Sequence, residues 1–385
     1  MKRIRKAVIS GAAFAALFCG SILLTSCDRK PEEIRIGLIV YNDQDVERLS
    51  TINAAAMAVD TLNNSGGLIL QGRKKSVVIV REDVQSAVPE KSVEAVQKLI
   101  NQRDVVAIIG PQYSIDAIPS GEIAERSRIP LISPISTNPR TTLNRKYVFR
   151  MGFLDDFQGR VAARFIQNDL GLERFSVLYN LADPYSRGIA GVFKNTVVES
   201  GKGAILAFES YTTDETDLTP QLASIRDARP DVLYLPNISQ ETERIATKAR
   251  EMGIDALFMG GDGWDRTAFS KMQEFQGAYM TAHYSAEIQT LENRAFVSEY
   301  ESRYGIVPGD TAALTYDAFN MVLEVIRGQG KADPASIRDG LYSMGPFTGV
   351  AGKIDFIDTG DPRKGAVILN FSGGKIVYEG PVEEY

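Results

Sequence analysis

Two short stretches carry the polar groups best placed to hold a small molecule. In "VVAIIGPQYS" (105–114), five apolar residues run from Val105 to Ile109. The chain then breaks at Gly110-Pro111 and offers Gln112, Tyr113 and Ser114 before a helical pattern resumes around Ala117. "LISPISTNP" (131–139) repeats the plan, with Ile135, Ser136 and Thr137 ahead of Asn138-Pro139. A short apolar run bounded by turn residues reads as a buried strand. Ligands in open parallel sheets sit beyond the carboxyl ends of such strands. Loops there present free backbone N–H groups and the positive end of a helix, which suits an anion. Ser114 and Thr137, with the neighbouring Ser136, make a cradle for an anion such as a carboxylate. The alternative is that Ser114 and Thr137 only cap helices.

Catalytic chemistry has little to draw on. The one histidine, His283, comes late in a strand-like run, and no Ser/His/Asp set can be assembled without it. The two cysteines, Cys19 and Cys27, and one histidine do not make a metal site. "GGDGWD" (260–265) lacks the spacing of a phosphate-binding fingerprint, and "FSGGK" (371–375) reads as a turn. The chain reads as a non-enzyme without cofactor or metal.

The elements that must position these residues alternate. "IRIGLIV", "SVVIVRE", "VVAIIG" and "IPLISP" read as strands, separated by helices such as "TINAAAMAVDTLN" and "PEKSVEAVQKLINQ". A second set follows: "FSVLYN", "GAILAFES", "DVLYLPN", "ALFMGG" and "GAYMTAHY", again with helices between. Short strands separated by helices of ten or more residues indicate βαβ units and parallel sheets. At 385 residues the chain exceeds one ordinary core and favours two α/β lobes. Two long helices, "ENRAFVSEYESRYG" and "TAALTYDAFNMVLEVIRG", come next. "GKIDFI", "GAVILNF" and "GKIVYEG" then read as hairpin-like closing strands.

The first residues read as a secretory signal: Lys2, Arg3, Arg5 and Lys6, an apolar run from Ala7 to Leu24, then "LTSC". The last four resemble a bacterial lipobox, which implies cleavage before Cys27 and a lipid on its sulfur. The alternative is an uncleaved membrane anchor. Removing residues 1–26, with four basic and no acidic side chains, takes the net charge from −6 to −10. An acidic body argues against nucleic acid as a partner.

Several motifs in order, "AMAVDTLNNSGGL", "VVAIIGPQYS", "IPLISPISTNP", "YVFRMGFLDDFQG", "DPYSRG", "ALFMGGDGW", "AALTYDAFNMVLEVI" and "FTGVAGKIDF", are similar to the branched-chain amino-acid-binding family of ABC-transporter solute-binding proteins. The resemblance covers the chain from about Ile34 to its end. It implies the α/β fold of a type I periplasmic binding protein, two Rossmann-like lobes joined by a three-crossing hinge that closes on a ligand. The implied division is a signal over 1–26 and a linker over 27–33. Lobe 1 then spans 34–153 and 285–361, and lobe 2 spans 154–284 and 362–385. The crossings fall near Phe153, Tyr284 and Pro362.

By the same resemblance Ser114 and Thr137 hold a ligand carboxylate and Asp262 holds its ammonium. Tyr185 lines the cleft, and Tyr316 lies near the cleft or hinge. For Asp262 the alternative is a cap on a helix beginning near Trp264. Gln112 and Tyr113 stand where apolar or cysteine side chains occur in the family's leucine-type binders. Polar amino acids, amides and other small carboxylates therefore stay open beside branched-chain ones. The implied protein is a monomer, lipid-anchored in the cell envelope, with an ABC permease as partner. A ligand-sensing module for a membrane receptor is the alternative.

Overall fold

In the first strand, β1 (Glu32–Tyr41), Ile34, Ile36, Leu38 and Val40 join one core, while Ile39 and Tyr41 join another. A strand covered on both faces becomes a near-continuous apolar run, because alternate side chains enter different cores. The computed structural model describes residues 32–43, 45–356 and 359–382.

The chain continues through α1 (Asp45–Asn64), β2 (Leu68–Leu70), β3 (Arg73–Val84), α2 (Pro89–Arg103), β4 (Ala107–Ile109), α3 (Ser114–Ser127), β5 (Leu131–Ser133) and β6 (Val148–Arg150). These strands form one sheet in the order β2-β3-β1-β4-β5-β6. All its pairs are parallel except β2 with β3. Helices α2 and α3 bury Ala95, Val96, Leu99 and Ala124 on one face, and α1 buries Ala54, Ala55 and Ala58 on the other.

A second sheet follows with α4 (Asp155–Asn168), β7 (Arg174–Asn180), α5 (Pro184–Ser200), β8 (Ala204–Tyr211), α6 (Thr219–Ala228), β9 (Val232–Leu235), α7 (Ser239–Glu251), β10 (Leu257–Gly260), α8 (Arg266–Phe269) and β11 (Tyr279–Ala282). Its parallel part runs β11-β10-β9-β7-β8. Helices α4 and α5 cover one face through Ala162, Ile166, Ile189 and Phe193. Helices α6 and α7 cover the other through Leu222, Ile225, Ile245 and Ala249.

Then α9 (Leu291–Tyr304), α10 (Asp310–Gln329) and α11 (Pro334–Ser343) return to the first core, where Phe296, Phe319 and Leu341 are buried. A small antiparallel sheet joins β12 (Phe347–Gly349), β13 (Gly352–Phe356) and β14 (Pro362–Arg363). Last, β15 (Ala366–Ser372) adds antiparallel to β11, and β16 (Lys375–Val382) adds antiparallel to β15 at the edge of the second sheet. The chain thus passes between the two sheets three times: after β6, after β11 and after β14.

Two sequence expectations need correction. "GKIDFI" does not belong to the closing hairpin. Ile354 and Phe356 of β13 pack into the first core, while Val367, Leu369 and Phe371 of β15 pack into the second, so the strands serve different layers. β13 forms its own hairpin with β12, turned between Gly349 and Gly352, while β15 and β16 form the closing one, turned at Gly373-Gly374 with φ of +59° and +75°. Helix α3 starts at Ser114 and not around Ala117. Among the described residues no helix is long and apolar enough to cross a membrane. The basic start, the apolar run and Cys27 lie outside the described residues.

Candidate functional site

The carboxyl ends of the two sheets face one cavity. On the first sheet, β4 ends at Gly110, whose φ of +96° turns the chain sharply. A Cβ there would lie 3.2 Å from the Ile39 carbonyl oxygen, so the turn packs too closely for a side chain. The turn delivers Ser114 as the first residue of α3, whose N-cap position is taken by Tyr113. Ser114 Oγ lies 3.0 Å from Ser136 Oγ, and the Asn138 N–H donates to it at 3.3 Å. Ser136 Oγ lies 2.7 Å from Thr141 Oγ1. The hydroxyls at the ends of β4 and β5 therefore form one buried, interlinked set.

Beneath them lies Arg150, fully buried at the end of β6. Its guanidinium donates to the carbonyls of Ser136 at 3.0 Å and Asn138 at 2.8 Å, and to Thr142 Oγ1 at 2.8 Å. It pairs with Asp361 at 2.7 Å. Burial pulls its pKa down and Asp361 opposes that shift. A planar trans peptide that turns the Ser136 carbonyl toward Arg150 turns the Thr137 N–H the other way. The brace thus fixes the direction of the loop's donors.

Thr137 does not cap the short helical turn after it. Asn138 does, accepting from the Arg140 N–H at 3.1 Å. The Thr137 side chain stands instead beside Asp155, the first residue of α4. Asp155 is buried, and burial raises its pKa well above the usual carboxylate range, with Asp262 adding to the rise. Asn138 Nδ2 donates to Asp155 at 3.1 Å and to the Pro184 carbonyl at 2.9 Å, so one amide ties the first sheet's loop to α4 and α5.

Across the cavity stands Asp262, after β10. Its side chain is 3% exposed. Oδ1 accepts from Gln158 Nε2 at 2.7 Å and Oδ2 lies 3.0 Å from His283 Nε2. Helix α4 and the segment after β11 therefore hold it from two sides. It caps no helix; α8 begins at Arg266 and its cap is Asp265. His283 is itself fixed, with its ring 3.8 Å from that of Phe153 and its backbone N–H donating to Asp310 at 3.0 Å. Tyr185, at the start of α5, is buried, and its hydroxyl accepts weakly from the Gly263 N–H at 3.4 Å. Glycines 260 and 261 are needed for packing: a Cβ would fall 2.0 Å from the Trp264 ring and 2.3 Å from the Tyr185 oxygen, respectively.

The cavity has a volume of about 100 Å3, where a single water needs roughly 10–15 Å3, so it has room for a molecule of several heavy atoms. Gln112, Tyr113, Ser114, Ile135, Ser136 and Thr137 line it from the first sheet, and Tyr185 and Asp262 from the second. All eight residues singled out from the sequence thus share one space. Gln112 turns its amide to Thr51 Oγ1 at 2.6 Å, and Tyr113 stacks on Tyr41 at 4.9 Å. Tyr316 does not join them; it sits on α10 against Phe296, beside a surface depression.

A family model described as "Periplasmic binding protein" matches residues 33–374. The chain belongs to the periplasmic binding protein family. An amino acid binding protein of Pseudomonas aeruginosa is 28% identical to it over 312 residues, covering 80% of this chain and 81% of the relative. A leucine-, isoleucine-, valine-, threonine-, and alanine-binding protein of the same organism is 26% identical, covering 80% of each. The leucine binding protein LivK from Thermotoga maritima superposes with a TM-score of 0.83 at 26% identity, over 91% of this chain and 99% of that one. The substrate binding protein LivJ from Streptococcus pneumoniae, in complex with isoleucine, gives 0.81 at 26% identity, over 92% and 99%. The fold is that of type I periplasmic binding proteins, and the chain is a binding protein and not an enzyme.

This periplasmic binding protein also brings residues to the cavity that the sequence reading did not single out. Asn180, Asp183, Thr213, Ile238 and Glu241 line its outer part, and Asp310 and Thr311 reach it from α10. The available signal was positional: Asn180 ends a strand, and Glu241 stands in the first turn of the helix after the next strand but one.

Proposed function

We propose that this chain is an extracytoplasmic solute-binding protein that captures an amino acid or similar small carboxylate between its lobes and hands it to an ABC importer. The observation that carries the reading is a cavity with neutral hydroxyl donors on one wall and a buried carboxylate, Asp262, on the other. A zwitterion matches both. Its carboxylate accepts from Ser114, Ser136 and Thr137 and from loop N–H groups near Ile135. Its ammonium meets Asp262, whose oxygens each keep a second lone pair beside Gln158 and His283. Tyr185, Gln112 and Tyr113 wall the space. Charge-assisted hydrogen bonds in a dry cleft are the strong kind. Because the two walls belong to different lobes, the full set exists only when the lobes are together, and ligand shifts the population toward that state.

The moving bodies in this reading are residues 34–153 with 285–361 and residues 154–284 with 362–385. The protein acts as a monomer, tethered by a lipid on Cys27, with no nucleic acid partner. Small-angle scattering tests closure: the protein compacts when a verified tight ligand is added, and an unchanged profile contradicts hinge motion. Labelled fatty acid tests the tether: Cys27→Ser abolishes incorporation, and retained label contradicts it.

A further inference from the structure

The cavity extends beyond the groups that suit the two ends of a zwitterion. Along the second sheet, Asp262 follows β10, Ile238 follows β9, Asn180 ends β7 and Thr213 follows β8, in that spatial order. Strands lie ~4.8 Å apart, so the β7 end stands about 10 Å from the β10 end. A short branched aliphatic side chain does not reach that far.

The wall at the outer end is made of acceptors. Glu241 Oε1 accepts from Asn180 Nδ2 at 2.7 Å and Oε2 from the Tyr211 hydroxyl at 2.9 Å. Asn180 Nδ2 also donates to Thr213 Oγ1 at 2.9 Å, so both its protons are used within the wall. Asp183 faces the same space while capping α5. Among the described residues, four carboxylates line the cavity and no lysine or arginine does. Asp310 is matched by Arg266 at 2.6 Å, and Asp262 lies 3.0 Å from the His283 ring nitrogen. Asp183 and Glu241 have no such ion pair among the described residues. Arg187 and Arg244 act on Asp183 and Glu241 only through longer-range attraction, and donate instead to the Leu181 carbonyl and to the carbonyls of Glu215 and Thr216. Between the inner and outer ends, Ile115 and Ile238 provide apolar walls suited to a methylene stem.

We propose that the outer end of the cavity is a subsite for a positively charged side-chain terminus held by Glu241 with Asp183 beside it, so that the ligand is a basic amino acid. This rests on the amino-acid reading of the same cavity. A cation there gives the unpaired carboxylates their counter-charge, and a partly desolvated anion gains most from a donor that carries charge.

The test is titration calorimetry on the intact protein with L-ornithine, L-lysine and L-arginine, each against its uncharged counterpart, L-norvaline, L-norleucine and L-citrulline. At least one basic ligand is expected to bind about tenfold or more tightly than its counterpart, as a desolvated charge pair requires. Glu241→Gln should shrink that preference several-fold, read as the ratio of basic to uncharged affinity within the variant. If Glu241→Gln fails to fold, the wild-type comparison decides alone. Counterparts binding as tightly as the basic ligands, with Ser114→Ala still weakening them, would overturn this inference and leave the amino-acid reading standing. No binding of any of the twenty common amino acids would overturn both.

Discussion

The two walls of the cavity follow opposite electrostatic plans. The wall on the first sheet presents neutral hydroxyls and amides, with Arg150 spent behind it on loop carbonyls and Asp361, and Asp310, reaching in from α10, is paired with Arg266. The wall on the second sheet presents carboxylates directly, with Asp262 backed by a histidine and a glutamine amide. The first holds shape and supplies many weak donors whose direction is fixed. The second supplies charge. Losing a single donor from a multi-donor wall removes one bond, whereas losing the charged acceptor removes the counter-charge for a desolvated cation.

The largest effect is expected at the brace. Arg150→Met leaves Asp361 and the carbonyls of Ser136 and Asn138 without their donor, so denaturant unfolding should show a loss of about 3–5 kcal/mol. A variant within about 1 kcal/mol of wild type would show that the first wall stands without it. Next comes Asp262→Ala, which should weaken binding of the tightest L-amino acid by about 2–5 kcal/mol. It should also lower the melting temperature, because Gln158 and His283 lose their acceptor. Asp262→Asn should recover only part of the affinity, since an amide keeps an acceptor and not the charge. Ser114→Ala and Thr137→Ala each remove one neutral donor to a charged acceptor, at about 1.5–3 kcal/mol of affinity. Equal losses at Ser114 and Asp262 would erase the contrast between the walls.

The smallest effect concerns pH. Burial pushes Asp116 and Asp183 up to about 6 and Asp317 up to about 7. In the unfolded chain such groups lose their protons near pH 4. Between those limits the folded protein holds more protons, so stability falls as pH rises through roughly 4 to 7. The melting temperature should be higher near pH 5 than near pH 8, by a few degrees for ~1–2 kcal/mol. A flat profile over that range would mean that these carboxyls are ionised in the folded state.

Much of this was legible in the sequence where the signal is local. Buried parallel strands such as "IRIGLIV" and "FSVLYN" announce themselves as apolar runs, and hydroxyls just beyond two of them marked the first wall. Local patterning fails where structure depends on distant partners. β2 and β6 are three residues long and exist through pairing with β3 and β5. β6 even ends in a fully buried arginine, which composition argues against. The second wall converges from Gln158, Asp262 and His283, on three separate elements, and no spacing rule links them. Glu241 looked like any acidic residue in a helix's first turn until Asn180 and Tyr211 were brought beside it.

The most direct test of a zwitterion held between the walls is a thermodynamic cycle. Titration calorimetry would compare the tightest-binding L-amino acid with its analogue lacking the α-amino group, in wild type and in Asp262→Ala. The account predicts that removing the amino group costs wild type far more than it costs the variant, with a coupling of about 1.5 kcal/mol or more. Equal costs in both backgrounds would contradict it, because Asp262 would then not meet the ammonium.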